Sequence, residues 1–253
     1  MNIALQMYTL RDFCKTPADI ARTLARVREI GYSAIQVSGM GPIEAIELAK
    51  ILQGEGLTCC ATHVPLERME SETQKLIDDH ATIGCKYTAI GGFFQKDYTW
   101  QDWENFIARY NAVSEKFKSS PIRIGYHNHS HEFMRLDRKI IMQALIDQLS
   151  KDVWMELDTY WVQHGGADPI QWIDKVKGRI PCVHLKDMAI TFGRQQLMAE
   201  VGEGNLNWRG ILDACRNAGV EWYIIEQDVC QRDPFESVEI SLRNLKAITG
   251  GIR

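Results

Sequence analysis

Five short stretches concentrate the residues whose types and spacing could do chemistry. They are His63, Tyr126-His127-Asn128-His129, Glu156-Leu157-Asp158, His184-Leu185-Lys186-Asp187 and Glu226-Gln227-Asp228. Each closes a short apolar, β-branched run. In an extended strand, residues two apart share a face. His127 then lies with His129, Glu156 with Asp158, His184 with Lys186, and Glu226 with Asp228. Carboxylates buried together must be neutralised, because an unpaired buried charge is costly. One divalent cation held by His127, Asp158, His184 and Glu226 would do this with two carboxylates and two imidazoles. Such a mixed set suits Mn²⁺ first, with Zn²⁺, Co²⁺, Fe²⁺ and Mg²⁺ as alternatives. The competing reading of the same residues is a core of hydrogen bonds and salt bridges.

The elements that must position these residues follow from periodicity and punctuation. Strand-like runs fall at 3–8, 34–38, 57–63, 86–91, 122–127, 153–158, 181–185 and 222–226. Amphipathic stretches between them predict helices over 17–30, 42–55, 70–83, 99–117, 139–149, 169–177, 208–218 and 234–248. Pro17 opens the first helix and Gly31 closes it, the usual asymmetry of helix ends. Alternating strands and helices imply a parallel sheet. Eight units in 253 residues predict an α/β fold, a single (β/α)8 TIM barrel filling residues 1–253. In such a barrel the C-terminal strand ends carry the active site, which is where all five stretches fall. An open doubly wound sheet is the alternative. It would place a glycine-rich phosphate turn after the first strand, where the chain reads Thr9-Leu10-Arg11-Asp12-Phe13. Gly91-Gly92 lacks the spacing of a dinucleotide fingerprint.

Composition narrows the classes. The chain is 45% hydrophobic and 25% charged, with a formal net charge of −4. That balance disfavours a nucleic-acid partner. No apolar run reaches the roughly 18 residues of a membrane span. The seven cysteines are odd in number and irregular in spacing, which reads as reduced thiols in a cytoplasmic protein. The N-terminal residues lack the pattern of a secretory leader.

With these residues assembled, the chain resembles the xylose isomerase-like barrel superfamily, and within it the sugar phosphate isomerase/epimerase group that includes inosose dehydratase-like proteins. The resemblance runs through Ile-Gly-Tyr-His-Asn-His-Ser-His-Glu-Phe (124–133), Met-Glu-Leu-Asp-Thr-Tyr-Trp (155–161), Val-His-Leu-Lys-Asp-Met (183–188), Val-Gly-Glu-Gly-Asn-Leu-Asn-Trp (201–208) and Ile-Ile-Glu-Gln-Asp (224–228). It implies one metal at positions that here are His127, Asp158, His184 and Glu226. His127 departs from the pattern, since keto-sugar epimerases of the superfamily carry a glutamate there. Trp161 departs too, standing where those epimerases tend to have a histidine. A homo-oligomer is a further expectation of the resemblance.

The implied chemistry is metal-assisted proton transfer next to a sugar carbonyl, through an enediolate. Glu226 is the expected base. His127 or His129 would act on the opposite face, and Lys186 would either stabilise enediolate charge or neutralise Glu156. His63, His129, Glu156, Trp161 and Arg194 are the expected substrate contacts, Arg194 from a long loop over 187–207. Tyr160 and Phe93 are candidate pocket walls, Gly202-Glu203-Gly204 a shaped loop, and His80 and His164 surface or loop residues. His131 and Glu132 read either as substrate contacts or as an exposed loop. The expected activity is that of an isomerase or epimerase on a small-molecule keto sugar. A dehydratase or lyase eliminating from a keto-inositol or 3-keto-glycoside is the alternative. A non-catalytic sugar-binding subunit and an abasic-site endonuclease are competitors of other classes.

Overall fold

A computed structural model describes residues 1–250. Eight parallel strands close into a barrel in sequential order. They are β1 (Asn2–Gln6), β2 (Ala34–Val37), β3 (Thr58–His63), β4 (Tyr87–Ile90), β5 (Arg123–His127), β6 (Trp154–Asp158), β7 (Cys182–Leu185) and β8 (Trp222–Ile225). β8 pairs with β1 from Trp222↔Asn2 to Ile225↔Leu5, which closes the ring. The (β/α)8 barrel expected from the sequence is therefore the fold, and every expected strand lies within a few residues of its place.

The helices pack outside. They are α1 (Pro17–Ile30), α2 (Ala45–Glu55), α3 (Leu66–Ser71), α4 (Thr73–Ile83), α5 (Trp100–Phe117), α6 (Ile141–Gln148), α7 (Thr159–His164), α8 (Pro169–Lys175), α9 (Trp208–Ala218) and α10 (Pro234–Gly250). α1 starts with a reciprocal capping box between Thr16 and Asp19, and α5 with one between Thr99 and Asp102. The main apolar core lies between strands and helices. Among the described residues, no helix is long and apolar enough to cross a membrane.

A second, smaller core fills the barrel itself. Alternate residues point inward, so Ala4, Ala34, Ala61, Ala89, Cys182 and Ile224 meet Tyr87 and Trp154 there. Gly125 on β5 is what admits the Trp154 indole, since a Cβ at Gly125 would lie 2.4 Å from Trp154 ring carbons. Towards the C-terminal strand ends the inward positions turn polar: Gln36, His63, His127, Glu156, Asp158, His184 and Glu226. A register shift between β2 and β3 follows Ile35↔Cys59 with Gln36↔Ala61, leaving Cys60 as an extra residue. This bulge re-phases β3 and turns His63 towards the lumen beside Ala89.

Three sequence expectations are corrected. The 70–83 helix is two helices, α3 and α4. His80 is buried rather than surface, its ring bonded to the Thr62 hydroxyl and to the Leu76 carbonyl, each at 2.8 Å. The 187–207 loop is built on an antiparallel hairpin, Asp187–Ile190 with Gln196–Ala199. The buried Asp187 carboxylate anchors the return of that hairpin, accepting from the backbone N–H of Gly202 at 2.9 Å and Gly204 at 3.0 Å and from the Trp208 indole at 2.5 Å. A Cβ on Gly204 would fall 2.3 Å from Asp187 Oδ1, so the glycine is required. Gly202-Glu203-Gly204 is thus a shaped loop.

Candidate functional site

β5 to β8 deliver one inward side chain each, at or just past their C-terminal ends. One donor atom from each of His127, Asp158, His184 and Glu226 lies within 4.8 Å of all the others, and all four residues are buried. Both nitrogens of His127 are buried without a hydrogen bond, Nε2 standing 3.5 Å from Asp158 Oδ2. Orphaned buried polar atoms are rare and call for an explanation. Donors about 2.1 Å from one cation stand roughly 3–4 Å apart, so small side-chain adjustments would bring this set onto an ion. The residues fit a divalent cation.

The fold commits the other halves of these side chains. Asp158 caps α7, its Oδ1 accepting from Trp161 N at 2.9 Å, which leaves Oδ2 for the site. His184 Nε2 donates to Gln36 Oε1 at 2.6 Å, which leaves Nδ1 facing Glu226 Oε2 at 2.8 Å and Asp158 Oδ2 at 3.7 Å.

Lys186 supplies the balancing positive charge. Its Nζ lies 3.0 Å from Asp158 Oδ2, 2.8 Å from Glu226 Oε2 and 2.9 Å from Asp228 Oδ1. The expected alternative of neutralising Glu156 is not what Lys186 does. Burial favours a neutral amine, but Asp158, Glu226 and Asp228 outweigh it and hold Lys186 protonated. Burial likewise opposes ionisation of Glu226 and Asp158, and Lys186 with the neighbouring histidines keeps both well below the ordinary carboxylate range. Asp228 goes the other way: burial, then the Glu226 charge, pushes it up to about 6.

The remaining expected site residues divide. His63, His127, His129, Lys186, Glu226 and Asp228 line one cavity of about 670 Å³ at the barrel mouth, with Tyr8, Phe93, Phe94 and Arg109 among its walls. Trp161 backs His129, ring centroids 5.2 Å apart, rather than lining the cavity. Glu156 is fully buried below the cavity, held by Gln36 Nε2 at 2.9 Å and His63 Nε2 at 2.5 Å. Arg194 is exposed at the hairpin turn with φ 65°, outside the cavity lining. Tyr160 packs with Met188 and Met198 instead of forming a wall. Glu132 is neither exposed nor a cavity residue, since it accepts from the Tyr126 hydroxyl at 2.6 Å and His129 N at 2.9 Å. His164 lies at the end of α7 and is exposed. Sequence reasoning missed Gln36, whose only signal is a polar residue inside an apolar strand run.

The two histidines of the cluster differ in charge, which sets a pH dependence. Burial and the His184 charge push His127 down to about 4, so it is neutral at pH 7. Burial also disfavours a charged His184, but Glu156 and Glu226 outweigh it and hold its pKa well above the usual value. In the metal-free chain His184 therefore carries a proton on the donor that a cation needs. Loading should release one proton, not two, and apparent metal affinity should rise about tenfold per pH unit below the pKa of His184. Chelator competition between pH 6 and 8 measures this. A flat profile, or one with twice that slope, contradicts the assignment.

Comparison with known proteins agrees with the architecture. A family model for the xylose isomerase-like TIM barrel matches residues 24–248. An inosose dehydratase from Geobacillus thermodenitrificans is 26% identical over 157 residues, 55% of this chain and 52% of the relative. The match thus spans about half the length of that curated protein. The crystal structure of a sugar phosphate isomerase/epimerase from Parabacteroides distasonis is 24% identical, with a TM-score of 0.81 over 97% of this chain and 93% of its own. The IOLI protein, crystallised with a zinc atom, is 13% identical, with a TM-score of 0.74 over 99% of this chain and 98% of its own. At such identities the two structures speak to the fold alone.

Proposed function

We infer that this chain, which belongs to the xylose isomerase-like TIM-barrel family, is a divalent-metal enzyme that transfers a proton beside the carbonyl of an uncharged keto sugar, giving isomerisation or epimerisation. The observation that carries this reading is the convergence of four buried donor side chains, His127, Asp158, His184 and Glu226, at the floor of an open cavity. A cation bound there would act as a Lewis acid on a substrate carbonyl. Mn²⁺ heads the candidates, and the zinc atom of the IOLI structure gives a precedent for a cation on this fold. Glu226, held ionised by Lys186 and His184, is the base that accepts the substrate proton. His129 is half-buried and neutral, pushed down to about 2 chiefly by burial, and offers a neutral ring to the cavity. His127 or His129 serves the opposite face of the sugar.

The charge balance argues for an unphosphorylated substrate. Among the residues lining the cavity, Arg109 and Lys186 are the lysine and arginine side chains. Arg109 is committed to Glu70 at 2.5 Å and to Glu67 at 3.2 Å, and Lys186 to three carboxylates. Neither is free to bind a phosphate. The exposed Tyr8 and Phe94 offer aromatic faces to a neutral ring instead.

Asp228 favours elimination as a second reading. Two neighbouring carboxyl groups with separated pKa values can divide base and acid roles. Glu226 would take the proton while Asp228, pushed up to about 6, protonates a departing hydroxyl. The likeness to an inosose dehydratase supports this reading. One experiment separates the two. The Mn²⁺-loaded protein is incubated with a panel of free ketoses, keto-inositols and 3-keto-glycosides in D2O and followed by NMR. Deuterium beside the carbonyl together with a new isomer is the expected result. An unsaturated ketone with ultraviolet absorbance would select elimination. No exchange on any member, with Mn²⁺, Zn²⁺ or Co²⁺, would overturn both readings.

A further inference from the structure

Beneath the metal cluster lies a second set of polar groups that the proposed reaction does not use. Gln36 on β2 faces Glu156 and His184 on β6 and β7, across the barrel lumen rather than along the sheet. Gln36 and Glu156 are fully buried, and His63 is 11% exposed at the cavity edge. The shortest contacts run His63 Nε2 to Glu156 Oε2 at 2.5 Å, Gln36 Nε2 to Glu156 Oε1 at 2.9 Å, and His184 Nε2 to Gln36 Oε1 at 2.6 Å, with Glu156 Oε1 itself 3.4 Å from His184 Nε2. The β3 bulge at Cys60 is what phases His63 onto it.

The direction of each bond is fixed by chemistry. An ionised carboxylate accepts and cannot donate. Gln36 must therefore turn its amide nitrogen to Glu156, which places its carbonyl oxygen against His184. That oxygen only accepts, so His184 Nε2 must carry a proton. The lone pair of the neutral ring is then on Nδ1. Independently, Nδ1 is the nitrogen of His184 that faces the cluster, 2.8 Å from Glu226 Oε2 and 3.7 Å from Asp158 Oδ2.

We propose that Gln36, Glu156 and His63 are positioning residues, a buried relay that locks His184 in the tautomer whose Nδ1 faces the cation. The proposal rests on the metal reading of the site above. It assigns an outer partner to a metal-ligating histidine, a type of contact whose loss typically weakens metal binding about 10–100-fold. It also ties His63, at the cavity edge, to a ligand on the far side of the barrel. A purely structural network would hold the strands together without setting the protonated nitrogen of His184.

The test uses zinc, which is diamagnetic, and two readouts: affinity by chelator competition, and the 15N NMR signature of the His184 ring in the loaded protein. Gln36→Met is expected to weaken zinc binding about 10–100-fold and to remove the Nε2–H signature. The double variant Gln36→Glu/Glu156→Gln exchanges carboxylate and amide. The carboxylate at position 36 still accepts from His184, and the amide at 156 donates to it and accepts from His63. Its affinity should return to within about threefold of wild type, because the donor and acceptor order is unchanged. Should Gln36→Met fail to fold, the double variant decides alone. Wild-type zinc binding with an Nδ1–H tautomer, an unaffected Gln36→Met, or a double variant that binds as weakly as a broken relay overturns the proposal while the metal reading stands. A wild-type protein that takes up no zinc, manganese or cobalt overturns both.

Discussion

Asp158→Asn should lose most of its cation while keeping a folded barrel. The two oxygens of Asp158 have separate duties. Oδ1 caps α7 through Trp161 N, and Oδ2 faces the cluster, 3.0 Å from Lys186 Nζ. Asparagine can keep the capping oxygen and the volume but brings no charge to the site. Alanine loses both, and the missing cap alone costs about 1 kcal/mol. A four-ligand zinc site is worth about 10–16 kcal/mol, so one ligand carries about 3–4 kcal/mol, several hundred-fold in affinity. Neither change strands a buried lysine, because Lys186 keeps Glu226 and Asp228. Metal content by mass spectrometry, beside thermal melts of the metal-free proteins, measures both halves. Near-stoichiometric metal in wild type should fall below about a tenth in both variants at sub-micromolar free metal. The Asn variant should melt within a few degrees of wild type. Full metal content in Asp158→Asn would remove Asp158 from the ligand set.

The site was legible in the chain because a barrel converts a local rule into a global one. Strand alternation puts Glu156 with Asp158, His184 with Lys186, and Glu226 with Asp228 on inward faces. Barrel closure then brings consecutive strand ends together without any further signal. That is why the four residues read from the sequence stand together in a group that could hold a metal ion. What alternation cannot show is depth. Glu156 and Asp158 share a face, yet Glu156 sits one layer lower, under the cavity, and pairs with Gln36 from the opposite wall. Gln36 itself sits alone in Ala-Ile-Gln-Val, with no polar neighbour to mark it.

Other misses have the same kind of cause. The β3 bulge depends on how two strands pair, which neither strand states alone. The 187–207 segment reads as loop because its polar residues lack strand periodicity, and the hairpin is closed by one buried carboxylate, Asp187, gathering distant N–H groups. His80 shows a polar residue on a helix and nothing of Thr62, eighteen residues earlier, that satisfies its ring. Each of these contacts joins groups whose proximity exists only after the barrel has closed.

Glu226→Gln should separate binding from turnover. The amide has nearly the size of the carboxylate, so the buried position stays filled. It cannot accept a substrate proton at neutral pH, and loss of a positioned base costs about 10²–10⁴ in rate. Metal should bind more weakly, as in Asp158→Asn, but His127, Asp158 and His184 still converge, so saturating metal restores the occupancy at which turnover is compared. Lys186 is not left alone, because Asp158 and Asp228 stay within 3.0 Å. The pH profile gives a second handle. Glu226 is held well below the ordinary carboxylate range, so it stays ionised from pH 5 upward and adds no limb to the profile there. Loss of activity towards low pH should instead follow the proton returning to His184, and saturating metal should push that limb to lower pH. Deuterium exchange into a keto sugar, measured on variants matched for metal content, carries the comparison. Exchange that persists at the wild-type rate would move the base to His127 or His129. Exchange lost only in step with lost metal would make Glu226 a ligand whose charge, not its proton, matters.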